Sequence, residues 1–75
     1  MKVWIVLEYA YEAQCESGMV IKHICATQEK AQSELKQIAE HAREVSDNVR
    51  ETEMSVCYRA GAWYYQYLIE EHEVE

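Results

Sequence analysis

Proline and phenylalanine are absent from the 75-residue sequence, and glycine occurs only at Gly18 and Gly61. Without Pro- or Gly-rich stretches there is no long flexible linker and no low-complexity tract. Two isolated glycines also exclude a glycine-rich phosphate loop. Basic residues are scarce: seven Lys and Arg stand against fourteen Asp and Glu, for a net charge of -7. Direct attraction to nucleic acid or anionic lipid is therefore disfavoured, whereas basic protein partners are favoured. No apolar run approaches the ~20 residues needed to span a bilayer. The opening MKVWIVLEYAYE reaches an acid at Glu8 and lacks a small-residue cleavage site, so it reads as a strand and not as a secretory leader. Cys15, Cys25 and Cys57 form no CxxC pair, and their odd number points to free thiols and a cytoplasmic protein.

What is present is a folding composition. Hydrophobic residues make up 49% of the chain and aromatics 11%, far from the signature of disorder. One core, and hence a single domain over 1–75, is all this length supports, since a domain of about 60 residues buries only about 60% of its unfolded surface. Self-association would add stability to so small a core.

Val3, Ile5, Leu7, Tyr9 and Tyr11 alternate with Lys2, Trp4, Val6, Glu8 and Glu12, the period of a strand. A polar connection from Ala13 to Gly18 leads into Met19–Ala26, rich in apolar and β-branched residues, so an antiparallel hairpin is predicted. Its second strand is ambiguous. Met19, Ile21 and Cys25 oppose Val20, Ile24 and Ala26 with Lys22 and His23 between them, and the Ile21 set is taken as inward.

Thr27 offers a helix N-cap, with Glu29 in the first turn where the helix dipole favours an anion. Ala31, Leu35, Ile38, Ala42, Val45 and Val49 then form one apolar stripe at helical spacing. Ser46, Asp47 and Asn48 are weak helix formers, placing the end between Ser46 and Arg50. The stripe packs on a sheet; three heptads with two alanines are short for a coiled coil. Val56–Tyr58 and Trp63–Ile69 read as strands; Ala60-Gly61 between them suits a tight turn, with Gly61 supplying a positive φ where one is required, and the alternative is a loop leading into one final strand. The predicted class is α+β: a single antiparallel-rich sheet of three or four strands with one long helix on one face, ordered β-β-α-β or β-β-α-β-β.

Three segments carry a resemblance. Ile24-Cys25-Ala26-Thr27-Gln28-Glu29-Lys30-Ala31 resembles the strand-to-helix junction of small bacteriophage and bacterial β-β-α-β proteins. Tyr67-Leu68-Ile69-Glu70-Glu71-His72-Glu73-Val74 is similar to their closing strand, and Met1-Lys2-Val3-Trp4-Ile5-Val6 to their opening one. Under half the chain is involved, and the stretch from Asn48 to Ala62 departs from the shorter members. The resemblance implies the β-β-α-β plan and a bacterial host cytoplasm. It also implies kinship with a group that includes anti-CRISPR and other anti-defence inhibitors.

Constellations for chemistry are sparse. His23 and Cys25 share a strand face, yet a zinc site needs further ligands, and the plainer roles are a surface histidine and a small buried hydrophobe. Cys57, His41 and the glutamates have no spacing that marks a nucleophile with its base. Neither an enzyme nor a cofactor is expected. Two features point to binding instead. Trp63, Tyr65 and Tyr67 alternate with Tyr64, and Trp and Tyr are enriched at interface hot spots; Trp4 lies on the more polar side of the first strand and would join an exposed aromatic surface. Glu71, Glu73 and Glu75 line one side of the last strand with Glu70 across from them, either as a charged edge that discourages aggregation or as an anionic strip. The expected contact surface is thus Trp4, Trp63, Tyr64 and Tyr65, with Glu70, Glu71 and Glu73 steering a basic or mixed protein surface, most concretely a defence complex. The alternative is a structural homodimer or small-molecule binder that uses the same aromatics.

Overall fold

The alternating N-terminal run forms β1 (Lys2–Glu12), and its pairing with the last strand, β5 (Trp63–Glu73), organises the sheet. The structure is a computed structural model that describes residues 1–12 and 18–74. Between these two strands come β2 (Met19–Cys25), helix α1 (Gln28–Val45), β3 (Val49–Glu51) and β4 (Ser55–Ala60). The fold is α+β, with an antiparallel five-stranded sheet in the order β2-β1-β5-β4-β3. β1 pairs with β5 along its whole length, from Lys2 opposite Glu73 to Glu12 opposite Trp63. The Val74 N–H donates to the Met1 carbonyl at 2.7 Å and extends that ladder.

α1 begins as its sequence specifies. Thr27 is extended (φ -134°, ψ 154°), and its Oγ1 accepts from the Lys30 N–H at 3.1 Å, meeting one of the donors a helix start leaves unpaired. The helix stops at Val45, one residue short of the predicted window. Ser46 has left helical geometry, and its Oγ accepts from the Asn48 N–H. Such local side-chain bonding is what makes Ser, Asp and Asn poor helix formers. Val49 is therefore no part of the helical stripe; it opens β3.

The order β-β-α-β-β-β replaces the predicted three or four strands. β3 supplies the extra one, pairing Val49 with Tyr58, Arg50 with Cys57 and Glu51 with Val56. The β4–β5 hairpin turns through Gly61-Ala62, with Gly61 at φ 64°. A two-residue turn with glycine first matches the twist of the strands it joins. The predicted connection from Ala13 to Ser17, including Cys15, lies outside the described residues, as does Glu75.

α1 covers one face of the sheet. Its buried Ala31, Leu35, Ala39 and Ala42 meet Val6, Cys25, Val56, Tyr58, Tyr67 and Ile69. Three of the four helix residues are alanines, so the backbone approaches closely and large aromatic rings from the strands fill the space. Ile38 is half-buried at the margin, and Val45, placed in the stripe by its spacing, is exposed.

Candidate protein-interaction surface

Residues opposite one another in an antiparallel ladder point to the same side of the sheet, and sides alternate along each strand. The helix-covered side therefore carries Trp4, Val6 and Glu8 of β1, Tyr65, Tyr67 and Ile69 of β5, and Val56 and Tyr58 of β4. Within this layer the Tyr67 hydroxyl donates to Glu8 Oε2, and Lys22 Nζ stands 3.6 Å from the same carboxylate oxygen. Burial first, and then the hydrogen bond to Glu8, push the Tyr67 phenol far above its ordinary value; burial likewise raises Tyr58. Both stay neutral at physiological pH, and their rings stack at 6.3 Å. They are core, with a polar tip that has found its partner.

The opposite side carries Val3, Ile5, Leu7, Tyr9 and Tyr11 of β1. Beside them lie Met19, Ile21 and Ile24 of β2 and Tyr64 and Leu68 of β5. No helix or strand among the described residues lies across it. Ile24, Ile21 and Met19 are 66%, 54% and 52% exposed. Leu7, only 4% exposed, points to the uncovered side and lies outside the cluster under the helix. Tyr11 and Tyr64 stack there at 5.4 Å.

The inward set of β2 is corrected by the structure. An irregularity in the pairing falls between Val6 and Leu7: Val6 pairs with His23 but Leu7 with Ile21, leaving Lys22 as the extra residue. A bulge switches the side on which the following residues point. Cys25 and His23 thus face the helix, while Ile21 and Met19 face the uncovered side. A regular alternation taken from the sequence cannot show this. His23 Nε2 lies 3.3 Å from Glu34 Oε2 of α1, and Cys25 is buried. Among the described residues no group of three or more His, Cys, Asp or Glu side chains gathers to hold a metal, and no helix is long and apolar enough to cross a membrane.

The predicted contact residues are divided between the two sides. Trp4 and Tyr65 pack against the core under α1, and Trp63 stacks on Tyr65 at the exposed end of the same side. Tyr64 is on the uncovered side, 43% exposed. Glu71 and Glu73 point to the helix side, where they pair with Lys2 at 3.2 Å and with the N-terminal ammonium at 3.3 Å. Glu70 points the other way and meets His72 at 3.0 Å.

Charge follows the same division. Glu70 is the only acidic residue of the described strands on the uncovered side, where Arg50 and Arg59 also point. The remaining acids of the described strands, and those of α1, lie on the helix side or around its rim. Between α1 and the β3–β4 corner a groove of about 570 Å³ is lined by Glu29, Gln32, Lys36, Glu51 and Glu53. Gln32 Nε2 donates to the Glu53 carbonyl at 3.4 Å, and Arg43 pairs with Glu51, tying the helix to that corner. Sequence reasoning missed this groove because its carboxylates come from segments far apart in the chain.

No protein-family model matches the chain, and neither the curated proteins nor the solved structures yield a match.

Proposed function

We propose that the chain is a protein-protein interaction module that uses its acidic helix side to engage a basic or mixed protein surface. Its most concrete form is a phage-encoded inhibitor of a nucleic-acid-processing defence complex such as CRISPR-Cas, working in the cytoplasm of a bacterial host. The reading assigns the chain no reaction and no cofactor. The observation that supports it is the segregation of charge: in a protein of net charge -7, the carboxylates of the described strands and of α1 gather on one side, and among the described strands only Glu70 points to the other. Concentrated negative potential accelerates encounter with basic surfaces and disfavours nucleic acid itself.

Within that side, Glu29, Glu51 and Glu53 border a groove roomy enough for a lysine or arginine side chain of the partner. Trp63 supplies an exposed aromatic anchor. Glu71 and Glu73, already paired within the chain, and Glu51, paired with Arg43, steer less strongly than unpaired acids would.

The experiment is affinity capture from bacterial lysate with the tagged protein, washed at low and high salt. Two controls accompany it: E29K/E51K/E53K and E70K/E71K/E73K. One stoichiometric nucleic-acid-processing complex, lost from the groove variant and weakened by salt, is the expected result. A partner kept undiminished by both variants at high salt would remove the acidic side from the function.

A further inference from the structure

We infer that the uncovered side of the sheet is the interface of a homodimer, in which a second copy of this chain packs face to face on Ile5, Leu7, Ile21, Ile24, Tyr64 and Leu68. The inference stands apart from the acidic-side reading, which concerns the opposite surface.

An antiparallel sheet with one face on a helix has its second face in water, and such a face is normally polar. Here part of it is not. Along β1 every second residue from Val3 to Tyr11 is apolar on the uncovered side; Met19, Ile21 and Ile24 of β2 and Tyr64 and Leu68 of β5 continue the patch, while Gln66, Glu70 and His72 of β5 and Arg59 of β4 form its polar margin. Contiguous exposed apolar surface beyond a few hundred Å² marks an interaction site.

Size and charge together select the occupant. The molecule measures 40 × 25 × 14 Å, so its broad side, the polar β3–β4 end included, offers at most roughly 1,000 Å², against about 800 Å² per partner in a stable interface. The 14 Å depth is that of a helix on a sheet, and a second sheet laid against the bare face at about 10 Å would complete an enclosed core. Self-association of a strongly acidic chain is opposed by its own charge unless the contact surface is nearly free of acids. Among the described strands the uncovered side meets that condition. The single glutamate of the described strands there, Glu70, is paired with His72 and shares the side with Arg50 and Arg59. The dimer buries what is apolar and turns both acidic helix sides outward.

Edge-to-edge pairing through β2 is the competing geometry, and the strand is built against it. Its ladder is interrupted by the irregularity at Lys22, which places a cation midway along the edge. Bulges and edge lysines are devices that block strand addition.

Sedimentation equilibrium from about 1 µM to about 1 mM tests the inference with four proteins: the natural chain, Ile24→Glu, Tyr64→Glu and Val20→Glu. Ile24 and Tyr64 are exposed on the uncovered side and lie on different strands; Val20 is exposed on the same strand as Ile24 but points to the helix side. Circular dichroism checks that each variant folds. The natural chain is expected at twice 8.8 kDa. Each two-fold contact doubles a substituted charge, so Ile24→Glu and Tyr64→Glu should weaken the dimer by about 100-fold or more, whereas Val20→Glu should leave it intact. A natural chain that stays monomeric throughout would overturn the inference. So would a dimer that survives both uncovered-side substitutions, or one that Val20→Glu dissociates as readily.

Discussion

The two faces of the sheet are made from the same strands, residue by residue in alternation, yet they are built on opposite principles. On the covered face small residues meet large ones: Ala31, Ala39 and Ala42 of α1 lie against Tyr58, Tyr67 and Val56. Polar atoms there are satisfied, Tyr67 by Glu8 and Glu8 by Lys22. On the other face Ile5, Ile21, Ile24 and Leu68 stand side by side with nothing described above them. Hydrophobicity of a strand therefore does not identify its core face. β1 shows this, because its more polar alternation, with Lys2, Trp4, Val6, Glu8 and Glu12, is the one the helix covers.

This contrast can be broken or sharpened by substitution. The largest effect is expected at Leu35, 2% exposed at the centre of the helix contact. Leu35→Ala should cost about 3 kcal/mol of folding stability through lost burial and the cavity left behind. Urea denaturation of the monomeric Ile24→Glu background, with and without the substitution, measures this free of any dimer contribution. Ile21→Ala in the same background should cost under ~0.5 kcal/mol. Equal costs would mean that the uncovered face is as tightly packed as the covered one.

Tyr67→Phe comes next, at about 1 kcal/mol near neutral pH for a hydrogen bond whose partner carboxylate loses its donor. Its pH dependence has a definite sign. The folded-state phenol titrates above the unfolded value of 10.0, so its stabilising contribution is complete below pH 10 and is lost as pH rises beyond that. The urea midpoints of the two proteins should accordingly converge above pH 10. Parallel curves through that window would show that Tyr67 titrates normally.

Smaller again are the local devices. Thr27→Ala removes the cap on the Lys30 N–H and should cost about 1 kcal/mol, with Thr27→Ser restoring most of it; thermal melts of the three proteins decide. Gly61→Ala forces a side chain into a positive-φ position (φ 64°) and should cost about 1 kcal/mol, again read from melting.

What the sequence disclosed was mainly local. The Thr27 cap, the alternation of β1 and the positive φ of Gly61 follow from neighbouring residues and are present, whereas the helix ends at Val45, one residue before the predicted window, and the turn falls on Gly61-Ala62, one residue beyond Ala60-Gly61. β3 escaped detection because three residues, Val49-Arg50-Glu51, are too few to display a period, and Val49 happened to extend the helical spacing. The face of β2 escaped because a one-residue bulge at Lys22 reverses the alternation without altering composition. The central pairing of β1 with β5 joins the two ends of the chain, a non-local contact that no window of sequence contains. The candidate surface was legible to the same limited degree. Alternation separated Tyr64 from Trp63 and Tyr65, and Glu70 from Glu71 and Glu73. Which side the helix would choose depended on tertiary packing.

The most direct test of the contrast between the faces is NMR of isoleucine and leucine methyl groups in the presence of a soluble paramagnetic agent, recorded across a dilution series. The account expects Ile21, Ile24 and Leu68 to be protected at high concentration and bleached on dilution, while Leu35 and Ile69 stay protected throughout. Bleaching of Ile21 and Ile24 that is unchanged at every concentration would contradict it, leaving the uncovered face bare in solution.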